Sequence, residues 1–320
     1  MSSIVSETNA KPGPVLEVQA AKQTQHITVC VCTYKRPELL SRLFPALMRQ
    51  VTDGSFTYSV VVADNDELRS AEQTVAGFSS QSSFQVKYCV EPQKNIALAR
   101  NKALAEATGD FVAFIDDDEF PADDWLLSLL RACQSNGADG VLGPVVSYFD
   151  TDPPRWITKG RFFDKRKTYP SGTVVPWPET RTGNVLFRRD VLDEIDVAFR
   201  VQFDTAGEDI DFFRRLIEKG RKFIWSNEAV VYEVVPQARC SRTYLLKRAL
   251  LRGSNFPKHP KHRGRNILKS LIAVPCYTLA LPVLVFMGQH IFMSYLEKLL
   301  DHSSRLLAFA GMPLVKERQG

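Results

Sequence analysis

The sequence predicts an α/β protein with a mostly parallel sheet flanked by helices, and three observations carry that expectation. Four short apolar runs stand early in the chain: ITVCVCT at 27–33, YSVVVAD ending at Asp64, FQVKYCV ending at Val90 and FVAFI ending at Ile115. Runs that are apolar throughout, without alternation, fit strands buried on both faces. Helix-period patterns at 37–49 and 96–107 lie between them, and strands alternating with helices imply a parallel sheet. Finally, 320 residues with 44% hydrophobic and 24% charged content and no internal repeat are globular values, which exclude wholesale disorder, collagen and coiled coil.

Residues 1–25 are polar and aperiodic and are expected to form a disordered leader. The start, MSSIVSETNAKPGP, lacks a basic stretch followed by a long apolar core, so no cleaved export signal is expected. Six cysteines without a CxxC pair disfavour a disulfide scaffold or a zinc ribbon and suggest a reducing, cytosolic setting. Cys30 and Cys32 share one strand face and read as core, and the five histidines show no ligand spacing.

The first strand-to-helix turn, CTYKRPELL, has no glycine. Dinucleotide folds and P-loops need a Gly-rich turn there for backbone to approach a pyrophosphate, so hydride transfer and ATP hydrolysis are disfavoured. HExxH and GxSxG are absent too. From 147 to 181 five prolines punctuate a loop-rich stretch, in which Trp156 and Trp177 could stack on sugar rings or simply anchor loops. A helix at 208–219 and strands at 222–226 and 229–235 complete a main domain expected over 26–236.

Ligands of such sheets bind at the carboxyl ends of the strands, which directs attention to the residues after Thr33, Asp64 and Ile115. After Ile115 comes FIDDDEF, with Asp116, Asp117, Asp118 and Glu119 adjacent. Four neighbouring acids repel one another, and Mg²⁺ or Mn²⁺ bridging carboxylate and diphosphate would relieve this; an acidic surface loop is the plain alternative. Glu208, Asp209 and Asp211 form a second acidic group at a helix start, where acids are also ordinary dipole partners. One group for a metal and one free carboxylate fit a metal-assisted displacement with a general base.

The net charge of +5 is uneven. Residues 234–296 contain no Asp or Glu but ten basic residues: Arg239, Arg242, Lys247, Arg248, Arg252, Lys258, Lys261, Arg263, Arg265 and Lys269. The rest of the chain is therefore mildly acidic. Only Tyr244 and Phe256 could stack on bases within this arm, so nucleic acid is not expected and an anionic membrane surface is. Residues 270–296 follow with no formal charge beyond His290. Their length permits a membrane-crossing helix, while Pro275 and Pro282 suit a re-entrant or interfacial segment. Residues 237–320 are thus expected as a basic, apolar, membrane-associating helical region.

Taken in order, ITVCVCTYKRPELL, VVVADND, NIALARNKAL, FVAFIDDDE, GNVLFRRD and GEDIDFFRRL resemble family-2 inverting glycosyltransferases of the GT-A fold, in particular the bacterial exopolysaccharide group. The resemblance covers about 27–255 and rests on the ordered set of motifs rather than on any one. It implies a UDP-sugar donor, UDP-glucose being one candidate, a divalent cation, and a lipid-linked saccharide acceptor. It also leaves room for other polysaccharide-assembly proteins as partners, and implies a place on the cytoplasmic face of the inner membrane.

Carried onto this chain, the resemblance places Thr33, Tyr34 and Arg36 in the loop around the nucleobase and Asp64 at the uracil and ribose side. Arg100 falls near the donor pocket, Asp116 and Asp118 at the two ends of the DxD signature with Asp117 between them on the donor side, and Asp118 as the metal ligand. Gly183 and Asn184 fall beside the donor sugar, and Asp209 is the catalytic base. Tyr232 stands where such enzymes often have a His that assists the metal or diphosphate. Arg214 and Arg215 could reach the diphosphate or simply form an exposed helical face. A sugar-phosphate nucleotidyltransferase and a non-catalytic membrane-bound assembly partner are the alternatives.

Overall fold

A computed structural model describes residues 24–164, 168–203, 207–254 and 263–312. The expected leader lies almost wholly outside them, as do Lys258 and Lys261 of the basic arm.

The first half alternates strictly. Strand β1 (Gln25–Thr33), helix α1 (Pro37–Met48), β2 (Phe56–Asp64), α2 (Glu72–Gln81), β3 (Val86–Val90), α3 (Ile96–Glu106) and β4 (Phe111–Asp116) follow one another. Pro37 opens α1, where a missing N–H costs nothing. Asn95 caps α3, its side chain accepting from the Ala97 and Leu98 N–H groups. The second half contributes β5 (Glu119–Pro121), α4 (Trp125–Ser135), β6 (Gly140–Leu142), β7 (Val145–Tyr148) and α5 (Arg155–Gly160). It continues with β8 (Asn184–Arg188), α6 (Glu208–Glu218), β9 (Phe223–Trp225) and β10 (Val231–Val234), and then α7 (Arg242–Ser254), α8 (Arg263–Leu284) and α9 (Gln289–Phe309).

Seven strands form the main sheet in the order β3-β2-β1-β4-β8-β6-β9. The main sheet is mixed: β8 runs antiparallel to both β4 and β6, while the other four pairings are parallel as expected. A second sheet, β5-β10-β7, was not expected at all. Apolar side chains cover both faces of the main sheet. Ile27, Val29 and Val31 of β1 pack towards α1, α2 and α4, while Cys30 on the other face packs towards α3 and α6.

Register brings the site together. Thr33 lies opposite Asp64, Cys32 opposite Asp116, and Ile115 opposite Asn184. Because β8 is reversed, its first residue meets the carboxyl end of β4. A parallel β8 would have carried Asn184 to the far edge.

A third core cluster, with Ile157, Phe163, Val235, Leu245 and Met293, joins α5, α7 and α9 to the end of β10. Two further expectations change here. The apolar run 270–296 is not one element: α8 ends at Leu284, and a tight turn (Val285–Met287) leads to Gly288, whose φ of +109° reverses the chain into α9. The basic arm is also partly neutralised, because Arg248 pairs with Glu297 and Arg252 with Asp301. Those acids stand just beyond the acid-free stretch and fold back onto it.

Candidate active site

Two adjoining hollows open along the carboxyl edge of the sheet. The first, of about 540 Å³, is lined by Cys32, Thr33, Tyr34, Arg36, Asn65, Lys94, Asn95, Ile96 and Glu208. The second, of about 210 Å³, is lined by Arg100, Asp116, Asp118, Glu119, Val145, Arg181, Thr182, Gly183, Asp209 and Glu233. Arg36 of the first reaches to 3.8 Å from Asp118 of the second, and Arg100 of the second pairs with Glu208 of the first.

The turn after β1 builds the wall of the larger hollow. Lys35 adopts a left-handed φ of 53°, an uncommon conformation for a side-chain-bearing residue, and the chain doubles back there. Arg36 then reaches Asp117 at 2.7 Å, and the Thr33 hydroxyl donates to the same carboxylate at 2.7 Å. Tyr34 lies between two ammonium groups, Lys35 at 5.3 Å and Lys94 at 4.8 Å from its ring. Burial pushes Asp117 up to about 7, against the pull of Arg36 and the Thr33 hydroxyl. The Cys32 thiol is pushed up to about 12 by burial, which makes it inert as a nucleophile.

The second hollow is a carboxylate site. Asp116 is half-exposed, whereas Glu119 is buried, accepts from the Asp116 N–H, and is driven well above the usual carboxyl range by that burial. Gly183 lies close against the carboxylates: a Cβ there would lie 3.0 Å from Asp116 Oδ2 and from Glu119 Oε1, so those oxygens would have to give by a few tenths of an ångström. Burial alone would lower Arg100, yet Asp116 and Glu208 outweigh it and hold the guanidinium charged. Val234 donates its N–H to the Asp118 carbonyl, tying the acidic turn to β10.

The three acids at the start of α6 part company. Glu208 is buried against Arg100, and Asp211 is buried against Arg214 and Arg215 at 2.8 and 2.9 Å. Asp209 alone of the three lines the second hollow, with its Oδ1 accepting from the Ile210 N–H. Arg214 and Arg215 serve Asp211 rather than the site.

Of the residues singled out in sequence, the structure gathers Thr33, Tyr34 and Arg36 in one hollow and Arg100, Asp116, Asp118, Gly183 and Asp209 in the other. Asp117 lies beneath Thr33 and Arg36 and supports them. Asp64 and Asn184 stand inside the protein at the sheet edge, each with internal hydrogen-bond partners. Asp64 is fully buried and accepts from the Asp66 and Ala71 N–H groups and the Tyr88 hydroxyl. Asn184 is fully buried as well, accepting from Trp125 Nε1 and donating to the Pro144 and Ala229 carbonyls. In both cases the sheet edge claims the polar groups first.

Tyr232 stacks on Phe120 at 5.4 Å and meets Tyr148 edge-on at 6.5 Å. Alternation along β10 puts it on the face opposite Glu233, and Glu233 is the residue that lines the hollow. Trp156 packs on Phe162 in the third core cluster, an anchoring role. Sequence reasoning missed Asn65, Lys94 and Asn95 in the larger hollow and Arg181 and Thr182 in the smaller. Asn65 and Asn95 lie inside the motifs VVVADND and NIALARNKAL, and Lys94, Arg181 and Thr182 adjoin quoted motifs, which was their one available signal.

Among the described residues no three His, Cys, Asp or Glu side chains converge as a ready-made metal cage. The donor set still fits a hard divalent cation. Asp116 and Asp118 offer carboxylate oxygens to one small hollow, and Mg²⁺-type ions are commonly held by one or two carboxylates with substrate phosphates and water completing the shell.

A mixed sheet with a carboxylate-lined cleft at its strand ends, beside a larger hollow shaped by the first turn, defines a GT-A-like transferase. Residues 28–196 match the family described as "Glycosyl transferase family 2", and the chain belongs to that family; it is a glycosyltransferase. It is 38% identical over 235 residues to the "Succinoglycan biosynthesis protein ExoM" of Rhizobium meliloti (strain 1021), covering 72% of this chain and 74% of that protein. It is 26% identical over 215 residues to the "Galactofuranosyltransferase GlfT1" of Mycolicibacterium smegmatis (strain ATCC 700084 / mc(2)155), covering 62% and 68%. Among solved structures, a mannosyltransferase from Pyrobaculum calidifontis, in complex with GDP-Man and Mn²⁺, shares the fold with a TM-score of 0.58. That likeness covers 89% of this chain and 88% of the other at 18% identity.

Proposed function

We propose that the protein is an inverting glycosyltransferase that moves a sugar from a UDP-sugar to a lipid-linked saccharide at the cytoplasmic face of the membrane, in polysaccharide synthesis. The observation that carries the proposal is the isolation of Asp209. Its neighbours Glu208 and Asp211 are committed to arginines, and Asp209 faces the hollow that Asp116 and Asp118 also line. The similarity to a succinoglycan biosynthesis protein supports the product class.

In this reading Thr33, Tyr34 and Arg36 hold the uridine in the larger hollow, and the diphosphate lies across Asp116 and Asp118. A divalent cation held by those carboxylates would neutralise charge on the departing diphosphate. Asp209 accepts the proton of an acceptor hydroxyl as that oxygen bonds to the anomeric carbon from the side opposite the phosphate. The bond between that carbon and the phosphate oxygen breaks, its electron pair leaves with UDP, and an α-linked donor gives a β-linked product. Asp209 then releases the proton to solvent. Arg100 keeps Glu208 and Asp116 in place, so the base helix and the acidic turn stay in register.

The test is UDP release from a panel of UDP-sugars with a membrane lipid extract as acceptor, with and without Mn²⁺ or Mg²⁺. Release from one donor, dependent on metal and absent in Asp209→Asn with UDP binding retained, is the expected result. Turnover in Asp209→Asn would remove Asp209 from the base role, and failure of the wild type to bind UDP would overturn the donor.

A further inference from the structure

Ile267–Met287 is long and apolar enough to cross a membrane, with a mean hydropathy of 2.1 in its most apolar 18-residue window, of which only 6% is fully buried. How it meets a bilayer is decided by what lies on its two sides. One stripe of α8 packs on α9. Ser270 hydrogen-bonds His302 at 2.9 Å, Tyr277 meets Tyr295 edge-on at 5.6 Å, and Leu284 is buried. The other stripe faces outward, with Leu268, Leu271, Ile272, Leu279, Val283 and Phe286 all exposed, Phe286 at 90%. No charged side chain interrupts that stripe after Lys269.

α9 is held from its far side by the soluble body. Glu297 and Asp301 pair with Arg248 and Arg252 of α7, and Ser304 hydrogen-bonds Ser254 and the Leu250 carbonyl. α7 and α9 are in close backbone contact: a Cβ on Gly253 would stand 2.4 Å from the Asp301 carbonyl oxygen. At the other end of α9, Met293 is buried in the cluster of Ile157, Phe163 and Val235. The three helices therefore lie side by side as a layer, α7 against the catalytic domain, α9 in the middle and α8 outermost.

This layering is incompatible with a crossing helix. To span a hydrocarbon core of about 30 Å, α8 would have to carry α9 with it or abandon it. Carrying it would take Glu297, Asp301 and their arginines into lipid, at about 2.5–3.5 kcal/mol for each charged residue at the bilayer centre. Abandoning it would expose the buried stripe of α9.

We propose that α8 is a monotopic anchor lying in the plane of the membrane interface, its outward stripe sunk among the acyl chains of one leaflet. Its occupant is an anionic bilayer surface. The outward stripe sets Leu268, Leu271, Ile272, Leu279, Val283 and Phe286 in water, and the first two turns of the helix, up to Lys269, belong to the most basic part of the sequence. The inference rests on membrane association and is independent of the donor and base assignments.

Cys276 allows a direct test, because it is the one exposed cysteine of the six and sits on the outward side of α8. The full chain is spin-labelled at Cys276, and then at Leu268→Cys, Leu279→Cys and Phe286→Cys in a Cys276→Ser background. Immersion depth is read by oxygen and nickel relaxation on vesicles of phosphatidylglycerol and phosphatidylethanolamine. An in-plane helix gives all four positions a similar, shallow depth of about 5–10 Å. Depth rising to about 15 Å near Cys276 and falling again at Phe286 would mean a crossing helix and overturn the proposal. Labels that stay in water at all four positions, with the protein free of the vesicles, would overturn it too. Leu279→Glu combined with Phe286→Glu should weaken vesicle binding about tenfold or more while UDP binding stays unchanged, which separates loss of anchoring from failure to fold.

Discussion

With 1% of its surface exposed, Asp117 lies between the Thr33 hydroxyl and the Arg36 guanidinium, and its position sets a pH dependence. An unfolded Asp gives up its proton near about pH 4, whereas in the fold burial raises that value to about 7. The stability linked to this proton is complete below about pH 4 and is lost as the pH rises through about 7. Thermal denaturation of the ligand-free protein should therefore show Asp117→Asn gaining on the wild type between about pH 5 and 8, since the amide cannot ionise. Melting curves that run parallel over that range would mean an ionised Asp117 throughout. Roles at this scale were only partly legible in the sequence. Asp116–Asp118 and Asp209 stood out because acids after a buried strand, or at a helix start, are local features. The partner that removes Glu208 from the chemistry, Arg100, is 108 positions away, and no local pattern encodes it. The partners that bury Asn184 and Asp64 likewise include residues of other helices, strands and loops, Trp125 and Ala229 for the one and Tyr88 for the other, so their burial was not legible locally.

Elements were legible where burial leaves a strong imprint. β1, β2 and β4 are covered on both faces along their inner halves, where their sequences read as apolar runs, whereas edge strand β3 exposes Lys87; α1 and α3 carry clear start signals. β8 was not read as a strand: GNVLFRRD stood only as a motif of the resemblance, and strand sequences carry period without polarity, so its direction was not legible either. Its reversal determines what surrounds Gly183, which precedes the strand and lies against the carboxylates of Asp116 and Glu119. Gly183→Ala forces those oxygens to yield by a few tenths of an ångström. The expected outcome is metal-dependent UDP binding weakened several-fold, with a loss of stability of only about 1 kcal/mol. Calorimetric titration of UDP with Mn²⁺ measures the first and thermal denaturation the second. Unchanged binding would show that the carboxylates adapt without cost to the ligand. Of the small second sheet only β10 was read, within 229–235; β5 and β7, of three and four residues, are too short to show a period.

At the scale of the molecule, the third core cluster crosses the point where composition suggested a boundary between 236 and 237. Leu245 and Met293 pack with Ile157 and Phe163, so the C-terminal helices complete a core that the catalytic domain begins. A chain truncated after Ser254 should consequently melt well below the full chain, having lost the α9 side of that cluster and left Arg248 and Arg252 without Glu297 and Asp301. A truncated protein that melts with the full chain and binds UDP equally well would show that the helices are an appendage. The same shared helix has a consequence for what the enzyme can reach. α9 is built into the domain at one end and carries α8 along its flank. On the in-plane seating of α8 proposed above, the cleft would stand at one height above the lipid headgroups, and that height would act as a gauge of acceptor length. For the acceptor proposed above, a lipid-linked glycan whose last hydroxyl stands at that level would be the one presented to Asp209. Once a sugar had been added, the new end would stand one ring higher and would have outgrown the enzyme, which favours one addition per acceptor over repeated extension.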